Sequence, residues 1–339
     1  MNRFLVFFVF VLTVSSCGHP GGKPDVSGVE VGNVHIERFD TAFFALDSNN
    51  IVPGLYGLNQ RFPWFTQDFV ANILGAGPLS DTSQAAFAAT RRFLTTYMPI
   101  RDSLEGRFRD LGWLEKELQT GFKYIKYYFP PYQLPRKVVT YIGPFDGPGV
   151  AVTAYALGIG LQSYAGRNFS FYLSQQGQEM YPQYVSRRFE KEYIQANCLR
   201  NLAEDICPDS SDGRPMIEQM IIKGRYWWLM GKLQPDAPDS IRTGYTDAQL
   251  KWCSSNEAAV WGFFLQNDLY TIDPDIIKNY VGENPKTMGM PDAAPGNIGT
   301  WVGWQIVKKY AEMHPGIPPS QLMHVPARVI FDEAKYKPK

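Results

Sequence analysis

The chain has 339 residues, 45% of them hydrophobic and 14% aromatic, so it is long enough to bury a substantial core in one large domain. Its 33 lysines and arginines balance its 33 aspartates and glutamates. This balance excludes a strong electrostatic field for nucleic acid, and we predict no nucleic-acid partner and no cofactor.

Residues 1–16 have the pattern of a cleavable signal peptide. Arg3 supplies a positive charge, and the apolar run at residues 4–14 is too short to span a bilayer as a mature helix. The sequence VSSC at residues 14–17 matches the bacterial lipobox. We therefore predict that Cys17 becomes the lipidated N-terminus and holds the protein on the bilayer, because several acyl chains together give stable anchoring.

The stretch that follows is rich in glycine and proline, at positions 18, 20, 21, 22 and 24. Glycine costs much entropy to order and proline donates no backbone hydrogen bond. The pattern predicts a flexible tether over residues 17–32 and a globular domain over residues 33–339.

The first half of the globular domain mixes helix and strand. Apolar residues recur every three or four positions from residue 82 to residue 128, which predicts a hairpin of two amphipathic helices broken near Pro99. Short apolar runs between glycine and proline turns then predict three strands, at residues 138–142, 151–155 and 157–161.

The second half is predicted to be almost entirely helical. Thr246 and Gln249 have the spacing of a capping box, and Gly299 and Gly303 lie four apart, which permits close approach of a neighbouring helix. Helices are predicted at residues 182–206, 216–231, 247–264 and 298–313. The fold class is therefore α+β and mostly helical, a single domain with a small sheet packed on helices.

Three cysteines remain in the globular domain, at 198, 207 and 253, and none forms a C-x-x-C pair. A structural zinc site is therefore not expected. Cys198 and Cys207 are close enough in sequence for a disulfide in an oxidising periplasm, or both are buried as small hydrophobic residues. The sequence leaves both alternatives open.

Familiar catalytic motifs are missing. The four histidines, at 19, 35, 314 and 324, include no i, i+4 pair, and the G-x-S-x-G elbow, the P-loop and the dinucleotide loop do not occur. Carboxylate pairs remain an alternative, since spacing in sequence does not reveal separation in space.

Three segments carry a resemblance to a known family. They read IERFDTAFFALD at residues 36–47, QMIIKGRYWWLMGKLQPDAPDSIRTGYTDAQLKWCSSNEAAVWGFF at residues 219–264 and DAAPGNIGTWVGWQIVKKY at residues 292–310. They resemble the gliding-motility lipoproteins of the GldB family from Bacteroidetes. The resemblance implies an envelope lipoprotein needed for gliding, associated with machinery that also serves type IX secretion and without an assigned catalytic activity.

The order of elements is also similar to a family of predicted zinc peptidases. Their H-E-x-x-H motif falls on residues 197–201 of this chain, and their E-G pair on Lys223 and Gly224. Asn197 and Asn201 offer neutral amides, Cys198 replaces the glutamate base, and Lys223 places a cation where a ligand is needed. This resemblance implies a degenerate zincin-like fold that binds no metal and performs no catalysis.

Three classes of function follow. The first is a non-catalytic envelope lipoprotein that supports gliding or type IX secretion through protein partners; the second is a hydrolase with an unrecognised carboxylate site. The third is a glycan-binding lipoprotein, indicated by 8 tryptophans and 19 tyrosines, although the tryptophans at 227, 228, 261, 301 and 304 lie on helices predicted to pack in the core. Bacteroidetes lipoproteins that resemble this one can carry an acidic surface-export signal just after the lipidated cysteine. Residues 18–22 contain no acidic residue, so we predict the periplasmic face of the outer membrane.

Overall fold

A computed structural model describes residues 23–81 and 83–338. The predicted signal peptide and Cys17 lie outside these residues. Among the helices within them, none has the length and apolarity needed to cross a membrane.

The first half of the described chain contains the whole sheet and five helices. The strands are β1 (Ile36–Arg38), β2 (Lys137–Tyr141), β3 (Val150–Val152) and β4 (Ala156–Gly160). The helices are α1 (Phe39–Phe44), α2 (Ile51–Arg61), α3 (Thr66–Asp68), α4 (Gln84–Glu105) and α5 (Gly112–Tyr128).

The second half contains helices of very different length. They are α6 (Ser170–Leu173), α7 (Gln175–Met180), α8 (Gln183–Ser186), α9 (Ile194–Ile206), α10 (Met216–Leu233), α11 (Asp239–Thr243), α12 (Asp247–Ser255), α13 (Glu257–Gln266), α14 (Pro274–Val281), α15 (Ile298–Met313), α16 (Pro319–Leu322) and α17 (Ala327–Ala334). The predicted α+β, mostly helical single domain is confirmed.

The sheet has the order β1-β2-β4-β3. β1, β2 and β4 are parallel, and β3 pairs antiparallel with β4 at one edge. β4 is buried along its whole length, as is typical of a strand covered on both faces. The predicted strands at 138–142 and 157–161 are confirmed within one residue, the predicted strand at 151–155 is shorter, and β1 was not predicted.

The buried carboxylate of Asp40 connects the end of β1 to β2 through hydrogen bonds. Asp40, at the start of α1, is 2% exposed and accepts hydrogen bonds from the Arg38 guanidinium at 2.7 Å and from Thr140 Oγ1 at 2.5 Å. Its charge is thus paired and hydrogen-bonded inside the protein, as burial of a carboxylate requires.

The predicted break near Pro99 is wrong, because α4 continues through Pro99 to Glu105. A proline within a helix removes one backbone hydrogen bond. Leu94 and Leu104, on either side of it, are both buried, so packing holds the helix together across that gap.

The predicted single helix at 182–206 is also wrong. After α8 the chain is extended at Glu190 and forms a 3-10 turn at Lys191–Tyr193 before α9. The Glu190 carboxylate binds the guanidinium groups of Arg107, at 2.6 Å, and Arg167, at 3.0 Å. These tertiary ion pairs favour the interruption over a continuous helix.

Helices α10 and α15 form the closest helix pair of the core. A Cβ atom built on Gly303 would lie 1.8 Å from the carbonyl oxygen of Met220, and one built on Gly224 would lie 2.3 Å from the backbone of Gly303. The predicted close approach at the glycines of α15 is therefore confirmed. The five tryptophans assigned to packing are all buried.

Part of the predicted tether is packed. Residues 23–32 lie along α5, where Val26 is buried, Lys123 Nζ donates to the Ser27 carbonyl at 3.0 Å and Gln119 Nε2 donates to the Gly32 carbonyl at 2.6 Å. The valines of this stretch, which contact the core, outweigh its glycines and prolines.

Candidate functional site

The positions similar to a peptidase metal motif lie on α9 and α10, two helices in contact with each other. Asn197 Nδ2 donates to the Tyr164 hydroxyl at 3.1 Å, and Asn201 Nδ2 donates to the Asn197 carbonyl at 2.9 Å. The structure therefore brings the two asparagines together, but both side chains are engaged in bonds within the protein.

The remaining motif positions are also in structural contacts. Cys198 is fully buried, and this burial raises the pKa of its thiol well above the usual range. Lys223 forms an ion pair with Asp209, and Gly224 packs against α15. Within residues 23–81 and 83–338, no group of three histidine, cysteine, aspartate or glutamate side chains is placed to hold a metal ion.

The three cysteines of the globular domain are free thiols. All are buried, and burial raises the pKa of each, that of Cys253 to about 12. Cys198 and Cys207 form no disulfide here, in agreement with the alternative that both are buried hydrophobic residues.

A cleft of about 800 Å³ opens between α5, the start of α9 and the segment that joins α10 to α11. We call it the Gln234 cleft. Trp113, Glu117, Thr120 and Tyr124 line one wall, and their spacing of three and four places them on one face of α5. The lining also includes the following residues: Lys116, Lys191, Glu192, Gln195, Leu233, Gln234, Pro235, Asp236, Ala237, Pro238 and Ile241.

Two carboxylates line this cleft, those of Glu117 and Glu192. Burial, followed by the negative charge of Glu192, raises the pKa of Glu117. At the edge of the cleft, Lys23 Nζ forms an ion pair with the Asp236 carboxylate at 2.8 Å. Among the described residues, no cation forms an ion pair with Glu117 or Glu192. The cleft therefore places two like charges near each other without a matched cation between them.

The Gln234 side chain carries an unpaired acceptor. Gln195 Nε2 donates to the Glu117 carbonyl at 2.6 Å, so Gln195 presents its Oε1 to Gln234, which donates to it through Nε2 at 2.5 Å. This chain of bonds fixes both amides and leaves Gln234 Oε1 buried without a partner. Gln234 is 5% exposed.

A second feature is a surface of exposed apolar side chains, which we call the apolar surface. It includes Ile272, 67% exposed, and Met288, 63% exposed, together with Leu265, Tyr270 and Ile276. They lie on α13, α14 and the adjoining loops, and α13 contacts α14 through the rings of Phe263, Phe264 and Tyr280. Groups of apolar residues left exposed mark sites of interaction more often than single ones.

Sequence reasoning found neither feature. The glutamates of the Gln234 cleft lie on separate elements, and no motif connects them. The apolar surface has no clear sequence signal, because Ile272 and Met288 lie in two separate loops, where no periodic pattern distinguishes exposed from buried apolar residues.

A family model described as gliding motility protein GldB matches residues 21–338. No curated protein and no solved structure gives a significant match to the chain.

Proposed function

Because the chain belongs to the gliding motility protein GldB family, we propose that it is a lipid-anchored envelope protein that supports gliding through contacts with protein partners. The family is involved in gliding motility, and its model covers nearly the whole chain. A non-catalytic role, attachment through Cys17 and a position on the periplasmic face of the outer membrane belong to the proposal.

The observation that supports a non-catalytic role is the bonding of the side chains at the positions similar to a metal motif. Asn197 and Asn201 use their amides in internal hydrogen bonds, and the ammonium of Lys223 is paired with Asp209. Zinc requires unprotonated nitrogen, sulfur or carboxylate donors, which these groups do not offer. Side chains so placed stabilise two packed helices and have no free group for chemistry.

The apolar surface supports a role in binding. Leu265, Ile272 and Met288 expose most of their side chains to water, where burial by a partner would be favourable. A few well-buried apolar anchors dominate the energy of most protein interfaces. A partner of the gliding or type IX secretion machinery that covers this surface would remove these side chains from water.

Complementation of a deletion strain tests this role. We expect Ile272→Glu and Met288→Glu to abolish gliding while the protein accumulates normally, because truncating or charging an interface anchor costs about 2 kcal/mol or more. Tyr127→Glu, at an exposed aromatic position on α5, is the matched control and should glide normally. Full gliding by both surface variants would refute a contact role for the apolar surface.

A further inference from the structure

We propose that the C-terminal end of α5 contacts the headgroup layer of the bilayer that holds the Cys17 anchor. The inference rests on the lipid anchor of the proposed function and adds which face of the protein the bilayer meets. We call it the Tyr127 face. It comprises Lys123, Lys126, Tyr127, Tyr128 and the turn at residues 130–133.

The start of the described chain lies beside this face. Lys23 Nζ is paired with Asp236 at 2.8 Å, and the Ser27 carbonyl accepts a hydrogen bond from Lys123 Nζ at 3.0 Å. Cys17 precedes Lys23 by six residues, and an extended chain covers at most about 3.5 Å per residue. The lipidated end therefore lies within roughly 20 Å of Lys23, whatever path the six residues take.

The aromatic side chains of this face suit a membrane interface. Tyr127 is 45% exposed, and its ring packs edge-on against Tyr128 with 5.0 Å between the ring centroids. Tyrosine is enriched at headgroup depth, because its ring is apolar while its hydroxyl hydrogen-bonds with water and headgroups. An exposed tyrosine so close to a lipid anchor is placed to enter that layer.

The charges of the face are positive. Residues 118–145 contain no aspartate or glutamate. Lys126 Nζ donates to the carbonyls of Pro130, at 2.6 Å, and Tyr132, at 3.1 Å. Within the described chain neither Lys123 nor Lys126 forms an ion pair, and the exposed Asp25 offsets only one of the two charges. Lysines in this position are attracted to anionic headgroups.

The apolar surface lies at the other end of α10 from the anchor. At the start of α10 the Met216 N–H donates to the Thr271 carbonyl at 2.9 Å, which places Ile272 beside that end. Asp236, the partner of Lys23, follows the other end. An α-helix of 18 residues is about 27 Å long. A bilayer in contact with the Tyr127 face therefore leaves the apolar surface free for a protein partner.

The charges beside Ile272 agree with this orientation. Asp268, Asp273 and Asp275 are exposed on either side of it in the sequence. Anionic headgroups repel carboxylates. A bilayer is therefore favoured at the lysine-bearing end of α5 and disfavoured at the apolar surface.

Fluorescence quenching in vesicles of phosphatidylethanolamine and phosphatidylglycerol tests the orientation of the full-length lipoprotein. The three cysteines of the globular domain are buried, so a fluorophore can be attached selectively to an introduced cysteine. Gln133→Cys lies in the exposed turn after α5, and Gln266→Cys is exposed beside the apolar surface. We expect lipids with a nitroxide on the headgroup to quench the probe at Gln133 several-fold more than the probe at Gln266. Equal quenching would overturn the proposal, and stronger quenching at Gln266 would assign the bilayer to the apolar surface instead.

Variants that retain the probe at Gln133 identify the contact. Lys123→Gln combined with Tyr127→Ser should remove most of the quenching, because the face loses a charge and its exposed ring. Lys309→Gln combined with Tyr56→Ser makes the same changes at exposed positions of α15 and α2 and should leave the quenching unchanged. Equal quenching of the two double variants would overturn the assignment, and thermal unfolding verifies that both are folded.

Flotation of the same vesicles separates this inference from the anchor. The acyl chains hold the protein on the bilayer by themselves, so both double variants should float, and Tyr127→Glu remains a suitable control for gliding. If the unsubstituted lipoprotein did not float, the Cys17 anchor would be refuted and the orientation with it. Flotation without preferential quenching at Gln133 would refute the orientation alone.

Discussion

At the residue scale, the buried polar groups are held by partners distant in sequence. Asp40 is paired with Arg38 and bonded to Thr140, a residue of a different strand. Asp40→Ala should lower the free energy of unfolding by about 1 to 3 kcal/mol, because it leaves the buried Thr140 hydroxyl without its acceptor and removes the partner of a partly exposed guanidinium. Asp236→Ala removes the exposed ion pair with Lys23 and should cost less than about 1 kcal/mol. Urea unfolding compares the two, and equal losses would contradict the account of Asp40.

The buried thiols give a second prediction at this scale. A raised pKa lowers the thiolate fraction at any given pH, and the thiolate is the reactive form. In a Cys17→Ala protein, Cys198, Cys207 and Cys253 should therefore not react with Ellman's reagent at pH 8 until denaturant is added, when all three should react. If only one thiol reacted in denaturant without reductant, a disulfide between two of them would be established.

Sequence reasoning succeeded for residues whose role depends on near neighbours. The capping box is present as predicted, with Gln249 N–H donating to Thr246 Oγ1 at 3.2 Å and Thr246 N–H donating to Gln249 Oε1 at 2.9 Å. The unpaired oxygen of Gln234 could not be predicted from the sequence, because it results from hydrogen bonds that run from Gln234 through Gln195 to the Glu117 carbonyl. Only the folded structure brings these groups together.

At the element scale, the packing of α10 on α15 depends on two glycines. Gly303→Ala should destabilise the protein by about 3 kcal/mol or more, because the added methyl meets the Met220 carbonyl and the two helices must separate. Gly262→Ala is a matched control within α13, where an added Cβ meets nothing within 4 Å and helix propensity favours alanine. Thermal unfolding measures both, and similar midpoints would show that the helices tolerate a wider separation.

Elements were predicted best where one apolar face runs without interruption. The helix predicted at 298–313 matches α15, and α10 begins at the predicted residue. The apolar periodicity predicted single helices at 182–206 and at 247–264, but the chain leaves the helical conformation at Glu190 and at Asn256. At Glu190 the cause is an ion-pair network with two distant arginines, which no local pattern reveals.

At the scale of the whole molecule, the position of the described N-terminus bears on anchoring. Lys23, which is six residues after Cys17 in the sequence, forms an ion pair with Asp236 at the rim of the Gln234 cleft. Cys17→Ala should leave a precursor that is soluble or unprocessed, since the lipid is the only predicted stable anchor. Mass spectrometry of membrane and soluble fractions determines this, and a processed Cys17→Ala chain that remains in the membrane fraction would refute the anchor.

The central claim is that this family member supports gliding through contacts, without chemistry at the positions similar to a metal motif. The most direct test is the gliding of a deletion strain that produces the double variant with Asn197→Ala and Lys223→Ala. Protein level and membrane attachment are measured in the same cells. We predict normal gliding wherever the protein accumulates normally, because these side chains form only structural contacts. A variant that accumulates, attaches to the membrane and still does not glide would contradict the claim and indicate catalysis at that site.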